Sequence, residues 1–333
     1  MRKLRFGVLG AAKIAREKVI PPLQQAARCE VVALASRDGA RGREVAARLG
    51  IARVHDSYEA LLADPDIDAV YNPLPNHLHV PWTIKAAEAG KHVLCEKPIG
   101  LHAGEVEELI QVRDRTGVRI QEAFMVRTHP QWLRARELVR SGRLGELKAI
   151  NGLFSYYLVD PANVRNVAEW GGGGMLDIGC YPITTARFVI GAEPSRVAAM
   201  LERDPSTGID RLGSALLDFG AVQCCFQYGT QLVPRQTMQF LGTKARLEVE
   251  IPFNAPNDAP CRLHLYEGPG LGLVATATIE LPACDQYGVM GDAFAASVQD
   301  GTPQPVPLED SLANMRVIDA VFRAADRGTW EVL

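Results

Sequence analysis

The sequence predicts an α/β protein: a Rossmann-type doubly wound parallel sheet, then an α+β domain with a large, mostly antiparallel open sheet. Two observations carry that expectation. As far as Met125, short apolar runs alternate with segments of helical period in strict β-α order, which calls for parallel strands with helices between them. Beyond Met125 the apolar residues alternate in twos, in segments joined by short glycine-bearing turns, as in antiparallel sheets. The expected domains are residues 1–126 and 127–333, with the last helix free to pack back on the first. A chain of 333 residues is long enough for both.

Arg5–Leu9 reads as the first strand, and Gly10-Ala11-Ala12-Lys13-Ile14-Ala15 as the turn into a helix. This is a G-x-A-x-x-A version of the dinucleotide fingerprint. Gly10 allows the tight turn, Ala12 leaves the backbone near a pyrophosphate, and Ala15 lets the helix pack close to the strand. A second strand, Glu30–Ala35, ends in Ser36-Arg37, where an acidic residue would take the ribose hydroxyls of NAD. A hydroxyl and a guanidinium, with Arg41 and Arg43 behind them, suit a 2′-phosphate instead. NADP is therefore the expected cofactor and NAD the second candidate. The bland alternative is that Ser36 caps the next helix and the arginines decorate its surface.

Helices are expected over Ala40–Leu49, closed by Gly50, and from Ser57, which serves as a cap. The strand Asp68–Tyr71 leads into Asn72-Pro73-Leu74-Pro75-Asn76-His77-Leu78-His79, a loop held extended by two prolines. Asn76 is a candidate cap for the helix that follows, to Ala89. The strand Val93-Leu94-Cys95 ends in Glu96-Lys97-Pro98, with Pro98 stopping it. Ligands bind beyond the carboxyl ends of parallel strands, so Lys97 is a candidate to hold a reacting oxygen or an anion. A helix His102–Thr116 and a strand Val118–Met125 follow; five strands are located in the six-stranded sheet that is expected.

The second half opens with a helix from Pro130 to Val139. Strands are expected at Ala149–Leu158, Leu212–Phe219, Val222–Tyr228, Thr237–Phe240, Arg246–Glu250 and Cys261–Glu267. Several carry apolar residues on both faces, so one face would cover helices and the other a second copy, as a homodimer or homotetramer. Ser311–Ala325 is a packing helix. Within this half lies Trp170-Gly171-Gly172-Gly173-Gly174-Met175-Leu176-Asp177-Ile178-Gly179-Cys180-Tyr181-Pro182. The glycines would let the backbone approach a ligand. Asp177 and Tyr181 share a helix face at their spacing of four, and Pro182 predicts a kink. A carboxylate and a phenol so placed can serve proton transfer; the bland alternative is a dipole partner and a core aromatic.

With 36 Lys+Arg against 39 Asp+Glu, no field draws nucleic acid or an anionic membrane. No apolar stretch of about 18 residues occurs to span a bilayer. Lys13 interrupts the apolar run Phe6–Ala12 too early for a signal segment. Seven scattered cysteines without a Cys-x-x-Cys suit a reducing compartment, and the expected location is the cytoplasm. Metal is not expected: His77 and His79 diverge at a helix start, and no His-Glu-x-x-His is present.

Glu96-Lys97-Pro98 after a Rossmann unit, with Gly-Gly-Gly-x-x-x-Asp-x-x-x-Tyr-Pro in the following domain, resembles the glucose–fructose oxidoreductase / inositol dehydrogenase (Gfo/Idh/MocA) family. Gly10–Ala15, Asn72–His79, Glu122-Ala123-Phe124-Met125 and Gly242-Thr243 extend the resemblance over essentially the whole chain. Many members have histidine where this chain has Tyr181; the tyrosine version is similar to glucose–fructose oxidoreductase, D-xylose dehydrogenases and dimeric dihydrodiol dehydrogenases. The resemblance implies a nicotinamide facing Lys97, Asp177 and Tyr181 as the catalytic set, and a cis bond at Lys97–Pro98. It implies a cofactor site drawn from Gly10, Ala11, Ala12, Lys13, Ile14, Ser36, Arg37, Arg41, Asn72, Pro73, Leu74, Asn76, His79, Glu96 and Lys97. Arg165, Asn166 and Trp170 join Asp177 and Tyr181 as candidates for the substrate.

The expected activity is NADP-dependent hydride transfer between the nicotinamide and a sugar or related polyol. Tyr181 is the first choice for the acid/base, because a Lys97 ammonium nearby would lower a phenol's pKa. The reverse assignment, Lys97 carrying the proton and Tyr181 positioning, stands beside it. Reduction of a ketosugar or lactone, oxidation of a cyclic diol, and a non-catalytic NAD(P)-sensing regulator are the alternatives.

Overall fold

The structure, a computed structural model, describes residues 2–268 and 272–333. The chain divides into two compact units, Met1–Met125 with Asp285–Leu312, and Val126–Cys284 with Ala313–Leu333. The segment Asp285–Leu312, assigned to the second domain from sequence, thus returns to the first unit.

In the first unit, β1 (Leu4–Leu9) is followed by α1 (Ile20–Gln25), β2 (Cys29–Ala35), α2 (Gly39–Leu49), β3 (Arg53–His55) and α3 (Tyr58–Leu62). Then come β4 (Ala69–Asn72), α4 (His79–Glu88), β5 (His92–Cys95), α5 (Ala103–Thr116) and β6 (Ile120–Glu122). All pairings are parallel, in the order β3-β2-β1-β4-β5-β6. This is the doubly wound order, with its reversal between β1 and β4. Val93, Leu94 and Cys95 are fully buried in β5, as a strand covered on both faces requires.

The remaining strand, β3, is only three half-buried residues, too short and mixed to show as an apolar run. The strand expected over Val118–Met125 is confined to β6, and its end turns into a 3-10 segment at Met125–Arg127. Asp38, not Ser36, caps α2, accepting from the Arg41 N–H at 3.1 Å; Gly50 closes the helix in the left-handed conformation. Ser57 Oγ caps α3 through the Ala60 N–H at 3.0 Å, as expected. Asn76 does not cap α4; Asn76–Leu78 forms a 3-10 turn and Leu78 occupies the cap position without a side-chain bond.

The second unit holds α6 (Pro130–Arg140), β7 (Leu147–Tyr157), α7 (Cys180–Ile190), β8 (Arg196–Arg203), β9 (Asp210–Asp218) and β10 (Gln223–Gly229). They are followed by β11 (Gln231–Gly242), β12 (Ala245–Val249), β13 (Cys261–Glu267) and β14 (Ala277–Leu281). The chain then passes through α8 (Gln286–Gln299) in the first unit and along α9 (Leu308–Arg327) to β15 (Glu331–Val332). The nine strands run β14-β13-β12-β11-β7-β10-β9-β8-β15, antiparallel except for the parallel pair β7–β10. The strands β8, β14 and β15 and the helix α8 lie outside the elements expected from sequence. β8, with an unbroken apolar run over residues 197–201, and β14 are largely exposed, and α8 is buried on more than one side, so none shows a clean two-fold or 3.6-fold pattern.

Helices α6 and α7 cover one face of this sheet. A Cβ on Gly152 of β7 would sit 3.4 Å from Pro182 of α7, and Tyr181 packs edge-on against Phe154 of β7, with centroids 5.7 Å apart. Trp132 of α6 is fully buried, stacks near Phe253 and donates through Nε1 to the Pro252 carbonyl at 2.7 Å. Among the described residues no helix is long and apolar enough to cross a membrane.

Candidate active site

Because the six strands of the first sheet are parallel, the turns after them share one edge. Gly10 follows β1, Ser36-Arg37 follows β2, Asn72–Leu74 ends β4, and Glu96–Pro98 ends β5. Gly10 has φ +83°, a conformation that favours glycine, and its N–H donates to Ala35 O at 2.7 Å. The helix after it opens with a π-helical turn at Ala15–Val19, ahead of the consecutive prolines Pro21 and Pro22 that cannot donate to the preceding turn. Ala15 is fully buried, while Lys13 is largely exposed and lies 4.0 Å from Glu17.

Beyond β2, Arg37 lines a cavity of about 370 Å³ with Asp56, Ser57, Tyr58, Glu59, Leu78 and Trp82. Tyr58 and Trp82 meet edge to face at 4.8 Å, and the Lys85 ammonium sits 4.0 Å from the Trp82 ring centre. Burial pushes the Tyr58 phenol up, and the Arg37 guanidinium beside it pulls the other way. An aromatic wall next to a guanidinium is what an adenosine bearing a 2′-phosphate requires. Ser36 is nearly buried, so Arg37 is the more available of the pair. Gly10 and Arg37 are the residues of this edge that could hold the phosphates of NADP, with Asp56 and Glu59 the acidic members of the same cavity.

The Lys97 loop is braced from three sides. Tyr71 of β4, fully buried, donates to Glu96 Oε1 at 2.6 Å, and the Ile99 N–H donates to Glu122 Oε1 at 2.9 Å. His79 faces the Pro98 carbonyl through Nδ1 at 2.7 Å. The Lys97–Pro98 bond is cis. Burial, and then the charge of Glu96, push the Tyr71 phenol well up, so it stays a donor. Asn72 is fully buried and its side chain is committed to the loop: Nδ2 donates to His79 O at 3.0 Å, and Oδ1 accepts from the Leu74 N–H at 3.3 Å. Asn72 and His79, expected to touch cofactor, spend these side-chain groups on the chain itself.

In the second unit the segment carrying Asp177 is a π-helical turn, Met175–Gly179, running into α7. Pro182 lacks the N–H that an α-helix would send back to Ile178, and the wider turn accommodates that loss. Asp177 Oδ2 accepts from Tyr156 Oη at 2.6 Å and from Arg165 Nε at 2.9 Å. Burial, and then Asp177's charge, push the Tyr156 phenol up, so Tyr156 stays protonated. The charge of Asp177 also holds the Arg165 guanidinium above its ordinary value. Tyr181, nearly buried, packs between Phe154 and Phe253. Asn166 is a loop brace, donating through Nδ2 to Asp160 O at 2.6 Å, and Trp170 is substantially exposed.

The glycines before Met175 answer to the protein's own atoms. A Cβ on Gly172 would lie 2.6 Å from Arg165 O, and one on Gly174 2.6 Å from the Tyr228 ring. Gly173 has φ +120°, and a Cβ there would overlap Asp210 Oδ1. Asp210 is itself buried and accepts from the Met175 N–H at 2.6 Å and from the Tyr228 hydroxyl. Burial pushes its carboxyl up, against those two donors. Tyr228 and Asp210 thus anchor the loop that delivers Asp177 and Tyr181. Sequence reasoning missed Tyr156, Asp210, Tyr228, Tyr58 and Trp82. Tyr156 was within reach, since it follows Phe154 by two on β7 and shares the face that α7 covers.

Residues 4–124 match the model of an oxidoreductase family with an NAD-binding Rossmann fold, Gfo/Idh/MocA, and residues 132–248 match that family's C-terminal domain. The chain belongs to the Gfo/Idh/MocA family. It is 49% identical to the uncharacterised oxidoreductase ORF334 of Rhizobium meliloti, over all of both chains. It is 39% identical to D-xylose 1-dehydrogenase (NADP(+)) 2 of Haloferax volcanii, covering 98% of each. Its fold matches that of KijD10, a 3-ketoreductase from Actinomadura kijaniata solved with NADP and TDP-benzene, with a TM-score of 0.90. The two are 33% identical, and the match covers 97% of this chain and 98% of that one. The chain is thus an NAD(P)-dependent oxidoreductase of the Gfo/Idh/MocA type.

Both Gly173 and Gly208 have positive φ, but a Cβ on Gly208 has nothing within 4 Å. Gly208→Ala should cost about 1–2 kcal/mol from backbone strain alone. Gly173→Ala should cost a further ~1–3 kcal/mol for the overlap with Asp210. Denaturant midpoints of the two variants check this; equal losses would mean that Asp210 yields freely.

Proposed function

We propose that this protein is an NADP-dependent sugar oxidoreductase that moves hydride between the nicotinamide and a carbinol carbon of an aldose or related polyol. The observation that carries the reading is Arg37 on the β2 turn, lining the Tyr58–Trp82 cavity, while the carboxylate of that turn, Asp38, is engaged in capping α2. Full-length similarity to an NADP(+)-dependent D-xylose 1-dehydrogenase supports the sugar. The non-catalytic regulator is not favoured.

NADP, when bound, supplies the carbon that accepts the hydride. The chain's residues must then hold the substrate and remove its hydroxyl proton as the C–H electron pair leaves. Lys97 holds the reacting oxygen and stabilises its developing negative charge. Tyr181 takes the proton as acid/base. Tyr156 is unsuited to that task, since burial and Asp177 keep its phenol protonated. Asp177, fixed by Tyr156 and Arg165, offers an oriented acceptor for a neighbouring sugar hydroxyl. Its charge is matched by Arg165, so this part of the site is hydrogen-bonding but locally neutral, which suits an uncharged polyol. Trp170 adds an exposed apolar surface for a sugar face. The cytoplasm is the proposed location.

Absorbance of the reduced nicotinamide, with NADP and NAD in parallel against aldoses, inositols and cyclic diols, tests the reading. Reduction of NADP with an aldose is expected, and silence across the panel would count against it. Lys97→Ala should lower kcat by at least about 100-fold while NADP binding stays measurable by calorimetry; full activity would remove Lys97 from the site. Arg37→Ala should raise KM for NADP about 10-fold or more with little effect on that for NAD. Equal effects on both cofactors would make Arg37 a surface residue.

A homo-oligomer through the second sheet is proposed as well. Strand register puts Leu153, Cys225, Leu216, Ala198 and Met200 on the face opposite α6 and α7, with Met200 74% exposed. Met200→Glu should therefore shift the mass measured by light scattering from a multimer to a monomer. A wild-type monomer at micromolar concentration would contradict the proposal.

A further inference from the structure

His79 is the first residue of α4 and only 1% exposed. Its two ring nitrogens face two different turns of the sheet edge: Nδ1 lies 2.7 Å from Pro98 O, next to Lys97, and Nε2 lies 2.7 Å from Leu74 O, in the loop after β4. Both partners are carbonyl oxygens and can only accept. Burial lowers the imidazole's pKa to about 4 in spite of them, and Lys97 and His77 nearby push in the same direction as burial. At neutral pH the ring therefore has a single N–H to offer two acceptors. Whichever carbonyl lacks the ring proton is left without that donor, at a cost in so closed a place.

We propose that His79 is a positioning residue that couples the Asn72–Leu74 loop to the Lys97–Pro98 loop through one shared ring proton. With the proton on Nδ1 the ring holds Pro98, and with it on Nε2 the ring holds Leu74. A cofactor that settles on the β4 loop and supplies or removes a donor at Leu74 shifts the proton between the nitrogens. The hold on the residue after Lys97 changes with it. Cofactor binding and the placement of Lys97 are then linked without His79 touching either reactant. Asn72 reinforces the linkage, because its amide ties the His79 carbonyl to the same loop. The inference rests on the reading that NADP binds along this edge and that Lys97 acts on the substrate.

The test uses the full-length protein with 15N-labelled histidine. Long-range proton–nitrogen spectra report which ring nitrogen carries the proton, and His79→Gln identifies the His79 signals. Saturation with NADP is expected to move the Nδ1 and Nε2 shifts of His79 in opposite directions, as a change of tautomer does. In His79→Phe and His79→Gln, kcat should fall about 10-fold or more and NADP should bind several-fold more weakly, because phenylalanine has no donor and the glutamine amide carries its donors on one nitrogen and cannot face both carbonyls as the ring does. A role in packing alone would lower the melting temperature while leaving the kcat and NADP dissociation constant of the folded fraction unchanged. Should the phenylalanine variant not fold, the wild-type spectra and His79→Gln decide. Wild-type protein that binds NADP with both His79 shifts unmoved would overturn the coupling and leave the cofactor reading intact. Wild-type protein that binds no NADP would overturn both.

Discussion

Parallel pairing is the constraint on which the first unit depends. A parallel strand must be re-entered from the same end, so each is followed by a turn at one shared edge and a crossover back. Residues far apart in sequence, such as Gly10, Arg37, Leu74 and Lys97, are brought to that edge by strand direction alone. Side chains then finish what pairing begins. Tyr71, His79 and Glu122 are buried polar groups whose partners are the turns themselves, and each would be costly to bury without that partner.

The second unit solves a different problem. Its sheet is antiparallel apart from one pair, and nothing in such a sheet gathers functional groups at an edge. Asp177 and Tyr181 are placed instead by a glycine segment wrapped over Tyr228 and tied to Asp210. The wrapping is tight enough that three consecutive positions have no room for a methyl group. Asp177 then meets Tyr156 from the sheet and Arg165 from the preceding loop. The result is a carboxylate oriented by two donors, with Arg165 as its ion-pair partner within the unit.

Much of this was legible before any coordinates. Strict alternation of apolar runs and helical segments implies parallel strands, and five of the six were visible as such. The sixth, β3, escaped because its residues are neither strongly apolar nor alternating. Local chemistry left two places open. Ser36 has the composition of a helix cap, but Asp38 has the position. The glycines of the second unit have the composition of a ligand-approach loop, yet their close neighbours are Tyr228, Asp210 and backbone carbonyls. Both cases share a cause: a residue type states what it can do, and only its surroundings select which.

What the sequence alone determined is whatever is written within one element's reach. That includes the period of each segment, the positive-φ turn at Gly10, the caps at Ser57 and Gly50, and the residues able to carry a proton or bind a phosphate. Tertiary structure decided the pairings. Tyr156 joins Asp177 from 21 residues away and Asp210 joins Met175 from 35 away, while His79 stands between Leu74 and Pro98. Such partnerships depend on strand register and on which helix covers which face. Those are set by burying the whole core at once, and no local pattern in the chain encodes them.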